Sequence, residues 1–335
     1  MFGIQNLDLI RTTSEILAHC DLKPEDEVTI YADTGKSPGL VQSFYSSALA
    51  LGLEATLAVF PQRRAMLREP SRSALELMKA SKMVVDCATD AWLYTQGLNA
   101  ILDAGGRVLQ VLAEEDTLAK LVPTKGLVRR AEEAARLFEN ADEVRIVSDG
   151  GTEIKADCHG RPGWGQDGVV RKPGDWDSAA TAIYAVAPLE EAMSGTMVLE
   201  PQDFIWTSPE PMILHQPIRL TVQNGRLVKV EGGDEALRLE RWLNSFDDPN
   251  SYVIAHTGFG GDPRASIDRT QEVESIEGGI NIAFGGNLFR GLGGKTRAKS
   301  HVDIVVMQQS MYLDDELVVK NGKIVHPKLK GLASR

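Results

Sequence analysis

The first half of the chain alternates short apolar segments with longer segments of mixed polarity. Apolar residues rich in valine and isoleucine predict strands, whereas the segments between them have helical composition and end near glycine or proline. Strands separated by helices indicate a parallel sheet with crossover helices. We expect strands at residues 27–32, 54–60, 83–86 and 107–112, and helices at 38–51, 73–80 and 127–140.

The second half has a different pattern, with more glycine and proline and shorter strands. Asn224-Gly225 and Asn321-Gly322 each lie between two alternating apolar segments, which predicts two hairpins. A chain of 335 residues exceeds the usual size of one hydrophobic core. We therefore expect an α/β protein of two domains: an N-terminal parallel-sheet domain at 1–147 and a C-terminal mixed α/β metal-binding domain at 148–335.

Composition narrows the range of partners and locations. The formal net charge of −11 argues against nucleic acid and anionic membrane surfaces as partners. No apolar run reaches the roughly 18 to 20 residues needed to span a bilayer, and the first residues lack the pattern of a signal peptide. The three cysteines are far apart and odd in number, which favours reduced thiols. We expect a cytoplasmic protein.

One segment indicates metal chemistry. His301 and Asp303 follow the turn at Gly293-Gly294 and begin an apolar strand, where side chains two apart share a face. His256 ends another apolar run and precedes several glycines, which suits a backbone that packs close to a ligand. The alternative interpretation is a strand turn with a surface imidazole. Two histidines and one carboxylate form a ligand set that suits Fe²⁺, Mn²⁺ or Zn²⁺ alike.

Other candidates are less specific. Glu190 and Glu191 are adjacent, so at most one of them should face a given site, and a solvated loop is the alternative. His159 lies in a loop, where functional residues concentrate. The glycine clusters at 285–286 and 293–294 match neither a phosphate-binding loop nor a dinucleotide fingerprint, so we do not expect a nucleotide.

An ordered series of motifs resembles the C-terminal domain of the aminopeptidase T-like metallopeptidases. The resemblance covers most of residues 150–310 and rests on these segments: Gly151-Thr152-Glu153-Ile154, Gly160-Arg161-Pro162, Ala187-Pro188-Leu189-Glu190, Glu277-Gly278-Gly279, Asn281-Ile282-Ala283-Phe284-Gly285 and His301-Val302-Asp303. His256 and Asn281 stand where these two-metal peptidases have a glutamate and a histidine. That departure should leave one metal.

With a histidine at position 256, the chain instead resembles the 2,5-dihydroxypyridine 5,6-dioxygenases, which are mononuclear non-heme iron enzymes of the same fold. This resemblance implies Fe²⁺ held by His256, His301 and Asp303, with Glu190 lining or supporting the site. As aligned, Gly286 falls near a serine of those dioxygenases that helps the metal or the substrate. The implied reaction is ring cleavage of a hydroxylated pyridine by O₂.

The candidates for catalytic residues are Glu190, Tyr94 and His159. Tyr94 would approach the ring from the first domain together with Trp92, although such a pattern is also typical of a core. The rival interpretation is a one-metal hydrolase in which Zn²⁺ or Mn²⁺ activates water and Glu190 or Glu191 is the base. A third is a member that has lost its metal. A homo-oligomer is the default expectation.

Overall fold

The computed structural model describes residues 4–208 and 210–333, which form two compact units. The first unit comprises residues 4–124 and Gln166–Thr181, and the second comprises Lys125–Gly165 and residues 182–333. The helices are α1 Ile4–Ala18, α2 Pro38–Ala50, α3 Arg72–Ala80, α4 Gln96–Asp103, α5 Glu115–Lys120, α6 Lys125–Glu139 and α7 Asp234–Asn244.

The strands follow in chain order. They are β1 Glu27–Asp33, β2 Glu54–Phe60, β3 Met83–Cys87, β4 Arg107–Gln110, β5 Glu143–Val147, β6 Glu153–Asp157, β7 Trp164–Gly165, β8 Trp176–Ser178, β9 Ile183–Val186, β10 Met193–Leu199, β11 Phe204–Ile205, β12 Met212–Ile213, β13 Ile218–Gln223, β14 Arg226–Glu231, β15 Ile254–Gly260, β16 Ile280–Gly285, β17 His301–Val306, β18 Ser310–Leu313, β19 Glu316–Lys320 and β20 Lys323–Ile324.

The first unit contains the predicted parallel sheet, in the order β2-β1-β3-β4-β8. Local sequence explains its helix starts: the Ser37 hydroxyl accepts a hydrogen bond from the Leu40 amide, and Pro38 opens α2. The sheet's last strand, β8, lies far along the chain in a segment without a strand pattern, and sequence analysis missed it.

The division into units differs from the boundary expected at residue 147. Helix α6 belongs to the second unit because its apolar face, with Ala131, Ala134 and Phe138, packs into that unit's core. Residues 166–181 instead return to the first unit, where β8 pairs with β4. The chain therefore crosses between the units three times. No change in local composition predicts these crossings.

The second unit is built on two antiparallel sheets. One has eight strands in the order β14-β13-β10-β6-β5-β18-β19-β20, and the other has seven in the order β12-β11-β17-β16-β15-β9-β7. Both predicted hairpins are present, and their Asn-Gly turns have positive φ at both residues, as Asn224 (48°) and Gly225 (71°) show. Side chains from both sheets contribute to one hydrophobic core.

Along the central strands of the seven-stranded sheet, side chains alternate between the hydrophobic core and the opposite face of the sheet. Ile282 and Phe284 of β16 and Ile304 of β17 lie in the core. Successive side chains of a strand point to opposite faces, so Ala283 and Asp303 lie on the other face. This face carries the polar residues described below. Across residues 4–208 and 210–333, no helix combines the length and apolar character needed to cross a membrane.

Candidate metal centre

Three side chains converge on the non-core face of the seven-stranded sheet. His256, His301 and Asp303 each offer a ligand atom, and these atoms lie within 4.8 Å of one another. Nε2 of His256 is 3.2 Å from Oδ1 of Asp303, and Nε2 of His301 is 3.1 Å from Oδ2. The structure thus brings together all three residues that the sequence predicts as metal ligands.

The strand register explains this convergence. His256 of β15 pairs with Ala283 of β16, which in turn pairs with Asp303 of β17. Residues directly opposite each other in an antiparallel sheet share a face, so His256 and Asp303 flank Ala283. Gly285 lies opposite His301 in the same way. The central strand therefore presents only a methyl group and a hydrogen beneath the three polar side chains.

A bulge places His256 in this row. The register of β15 against β16 shifts between Ile254 and His256, so Ala255 has no direct partner. Asn287 stabilises the irregular segment, because its Nδ2 donates to the Ala255 carbonyl at 2.8 Å. Without the shift, His256 would face the core rather than Asp303.

Nε2 is the atom of His301 that can bind a metal, because Nδ1 is engaged in a hydrogen bond. Nδ1 of His301 is 2.8 Å from the carbonyl oxygen of Gly286. A carbonyl only accepts, so Nδ1 carries the proton and, in the neutral ring, Nε2 keeps its lone pair. Gly286 thus contacts His301 through its backbone carbonyl, which requires no side chain.

The charges of the cluster favour a cation. Burial would raise the pKa of Asp303, but the His301 and His256 imidazoles overcome it and hold that pKa below its usual range. Burial lowers the pKa of His256 despite the neighbouring carboxylate. The centre therefore has an ionised carboxylate beside a neutral His256 ring, and among the described residues Nδ1 of that ring has no hydrogen-bond partner.

A fourth polar group, Glu274, supports Asp303, and sequence analysis did not single it out. It lies in the short 3₁₀ helix Thr270–Ser275 and its carboxyl hydrogen bonds with Asp303. Burial, with the charge of Asp303, raises the pKa of Glu274 well above its usual value. The raised pKa favours the protonated form of Glu274, which can donate to Asp303. Such outer contacts orient metal-binding carboxylates.

Glu190 forms an ion pair with an arginine and remains partly exposed. Nη2 of Arg161 lies 2.7 Å from Oε2 of Glu190, and Nη1 of Arg161 donates to the carbonyl of Gly293. Burial opposes the ionised form, but Arg161 prevails and lowers the pKa of Glu190. Gly293 belongs to the segment leading to His301, so this ion pair holds the segment in place. Glu191 is exposed.

The remaining candidates lie elsewhere. His159 is 76% exposed, and its Nδ1 lies 2.5 Å from Oδ1 of Asp142, which raises the pKa of the imidazole. The three-residue ligand cluster does not include His159. Tyr94 belongs to the first unit, where its side chain is buried and its φ is 64°. The catalytic roles of both stay predictions.

The donor set fits a divalent transition metal. Two imidazole nitrogens and one carboxylate are borderline and hard ligands of the kind that Fe²⁺, Mn²⁺ and Zn²⁺ accept. The ligand atoms lie within 4.8 Å of one another, and the cluster is largely buried. The side chains are 5%, 8% and 16% exposed for His256, His301 and Asp303, so the carboxylate edge is the open side.

The fold and this site define a two-unit α/β protein with a cluster of two histidines and one carboxylate that could hold a metal ion. The family of 2,5-dihydroxypyridine 5,6-dioxygenases matches residues 8–326. This chain therefore belongs to the 2,5-dihydroxypyridine 5,6-dioxygenase family, as its motifs predict. It is accordingly a member of an enzyme family of dioxygenases.

One relative by sequence and two solved structures are similar to this chain. The 2,5-dihydroxypyridine 5,6-dioxygenase of Pseudomonas putida is 29% identical over 266 residues, covering 76% of this chain and 74% of the relative. The structure of 2,5-dihydroxypyridine dioxygenase from the same organism has a TM-score of 0.89 at 24% identity, over 98% of this chain and 100% of that one. AmpT from Thermus thermophilus has a TM-score of 0.61 at 14% identity, over 96% and 99%. The predicted fold class is confirmed.

Proposed function

We propose that this protein is a mononuclear non-heme Fe²⁺ dioxygenase that opens the ring of a hydroxylated pyridine, with 2,5-dihydroxypyridine as the reference substrate. The single observation that carries the proposal is the cluster of His256, His301 and Asp303 in a chain that belongs to this dioxygenase family. The substrate class comes from the family and from the Pseudomonas putida relative.

The three residues would hold the metal through the Nε2 atoms of the histidines and the carboxylate of Asp303. When bound, Fe²⁺ would supply the redox chemistry by which O₂ reacts with an electron-rich ring. The protein's contribution is orientation: Gly286 fixes the ring of His301, and Glu274 fixes the carboxylate of Asp303. A positioned substrate then reacts in an effectively unimolecular step.

Glu190 is proposed as a supporting residue rather than as a proton carrier. A carboxylate that is ion-paired with Arg161 and has a lowered pKa accepts a proton poorly at neutral pH. The same argument weakens the rival hydrolase, in which Glu190 was a candidate base for water activated by Zn²⁺ or Mn²⁺. A hydroxylated heteroaromatic substrate with O₂ is therefore the proposed pair of reactants. A cytoplasmic location and a homo-oligomeric state stay predictions.

The test combines metal analysis with oxygen uptake. Protein purified without O₂ and loaded with Fe²⁺ should consume O₂ when 2,5-dihydroxypyridine is added, and protein loaded with Zn²⁺ should not. His256→Ala should lose both iron and uptake. The matched control is His215→Ala, which removes an exposed imidazole paired only with Glu235 among the described residues. Fully iron-loaded protein that consumes no O₂ with any hydroxypyridine would refute the proposal.

A further inference from the structure

The outermost strand of the parallel sheet in the first unit has an open edge. Strand β2, Glu54–Phe60, pairs with β1 over its full length of seven residues and without a bulge. Among the described strands, β2 pairs with no other. An open edge presents unpaired backbone N–H and C=O groups, to which a strand of another chain can bond.

Two hydrogen bonds show which residues of β2 present these groups. The Glu54 amide donates to the Asp26 carbonyl at 3.1 Å, and the Phe60 carbonyl accepts from the Thr34 amide at 2.9 Å. Residues 54 and 60 therefore bond towards β1. Because the direction of bonding alternates along a strand, every second residue bonds outward. The three outward-bonding residues are Ala55, Leu57 and Val59.

The sequence of β2 lacks the features that protect the other sheet edges. Natural edge strands avoid pairing with other chains by being very short, or by carrying charges or a bulge. Among the described strands, the other edge strands are two or three residues long, except β14. β14 contains Arg226, Lys229 and Glu231, and its register against β13 is irregular. β2 has one charged residue, Glu54, at its first position.

Exposed apolar side chains are concentrated beside this edge. Eight large apolar side chains are exposed among the described residues, and four of them fall within residues 49–59. They are Leu49 at the end of α2, Leu51 in the following turn, and Leu57 and Val59 in β2. Clustering of exposed apolar side chains is typical of an interaction site. This clustering is independent of the open backbone edge.

The strand is complementary to a second copy of itself. When two copies of β2 run antiparallel about a two-fold axis at Leu57, Leu57 lies opposite Leu57 and Ala55 lies opposite Val59. This register joins all three outward-bonding residues of each copy in hydrogen-bonded pairs. Residues opposite each other share a face, so the side chains of these pairs form one apolar row. A shift of one residue would set outward groups against inward ones and lose the bonds.

Charge and size agree with this arrangement. Antiparallel pairing places the two Glu54 carboxylates at opposite ends of the paired strands, about 20 Å apart, so they do not repel each other. Residues 49–60 amount to roughly half of the 20–30 residues that a standard interface uses on each side. The contact is therefore of the size found in a reversible dimer rather than in a permanent one.

We propose that β2 is an interface at which two copies of this chain associate, through antiparallel pairing about a two-fold axis at Leu57. The two five-stranded sheets then form one continuous sheet, and Leu57 and Val59 are covered by the second copy. From the size of the contact, the Kd is on the order of 10 µM. This interface does not depend on the proposed dioxygenase activity.

Disulfide cross-linking of the full chain tests the register. In a hydrogen-bonded antiparallel pair, opposite Cα atoms are about 5.5 Å apart, which suits a disulfide, so Leu57→Cys should give a linked dimer on mild oxidation. In Ala55→Cys the two new cysteines are about 14 Å apart and should not link. The native cysteines are buried and should not contribute. No linking of Leu57→Cys, or equal linking of both variants, would overturn the proposal.

Sedimentation velocity between about 1 and 100 µM, a range that brackets the expected Kd, tests the association itself. Wild type should shift to a larger species over this range, and Val59→Lys should weaken that association about tenfold or more. Val228→Lys is the matched control and should behave as wild type, because Val228 is also a valine of an outer strand and is 53% exposed, against 54% for Val59.

Ala55→Pro tests the contribution of the backbone. It removes an outward N–H while keeping Leu57 and Val59, and proline is tolerated on edge strands, so it should fold and should also associate more weakly. Urea unfolding of each variant checks the fold. A wild type that stays monomeric at about 100 µM, or equal association of folded Val59→Lys and Val228→Lys, would refute the proposed interface.

Discussion

The small side chain of Ala283 gives the sharpest test of how the metal centre is built. Ala283 is fully buried and lies directly between His256 and Asp303 in the strand register. Adjacent strands are about 4.8 Å apart, so the two flanking backbones are roughly 10 Å apart. Their side chains close that gap to 3.2 Å above the Ala283 methyl group. Replacement by valine places two more methyl groups in this space.

Two free-energy changes follow from Ala283→Val. Extra methyl groups in a packed site typically cost about 1–3 kcal/mol of folding stability. The protein can relieve part of that strain by moving His256 and Asp303 apart. A bound metal would oppose this movement, because it holds the two ligands together. We expect metal affinity to fall by about tenfold to a hundredfold, equivalent to roughly 1.4–2.8 kcal/mol.

The assay measures Fe²⁺ affinity by competition with a chelator under anaerobic conditions, together with urea unfolding of the metal-free protein. Two controls separate the site from general packing. Ala283→Gly should keep its metal affinity and lose about 0.5–1 kcal/mol of stability. Ile282→Val removes a methylene from the adjacent core-facing position, so it should cost about 0.5–1.5 kcal/mol without affecting metal. Wild-type metal affinity in Ala283→Val would refute the proposed convergence above Ala283.

Three further predictions address other parts of the molecule. Arg161→Gln should release metal faster than wild type during dialysis against a chelator, because the Gly293 carbonyl loses its donor. Glu190→Gln should have a milder effect. Equal metal retention in wild type and both variants would contradict the supporting role of the Arg161–Glu190 pair. Burial raises the pKa of Asp86 from an ordinary value of about 3.9 to about 7, so the contribution of this carboxyl group to stability is greatest below pH 4 and is lost as pH rises to 7. The loss amounts to about 4 kcal/mol of unfolding free energy between pH 4 and 7. Urea unfolding of Asp86→Asn should not show this pH-dependent loss. Burial raises the pKa of the three cysteine thiols to about 11 or 12, so a thiol reagent at pH 8 should label them only after denaturation.

Local patterns in the sequence predict the local parts of this fold well. The strands of the parallel sheet from β1 to β4, the two Asn-Gly hairpins and helices α2, α3 and α6 occur close to their expected positions. The spacing of His301 and Asp303 correctly predicts that they share a face, because strand alternation depends only on neighbouring residues. These features require no knowledge of distant contacts.

Features that depend on distant pairing could not be predicted in this way. The three-residue strand β8 pairs with β4 about 70 residues earlier, and its own sequence has no strand pattern. The bulge at Ala255 is set by a side chain of Asn287. Glu274 contacts Asp303 through the tertiary fold alone, in a segment where several acids alternate with other residues. No spacing rule distinguishes Glu274 from its neighbours.

The contacts of Asn281 and Glu274 together support a centre for one metal rather than two. Asn281 lies two residues before Ala283 on the same strand face, at the position where the resembled two-metal peptidases have a histidine ligand. Its Nδ2 donates to the Glu274 carbonyl at 3.0 Å, and the carboxyl of Glu274 in turn hydrogen bonds with Asp303. The raised pKa of Glu274 favours its protonated form, which is a poor ligand for a second cation, and an amide is a weaker metal ligand than an imidazole. In the proposed one-metal centre, Glu274 would therefore orient Asp303 rather than bind a second metal, and the open side of the cluster would be available to substrate and O₂.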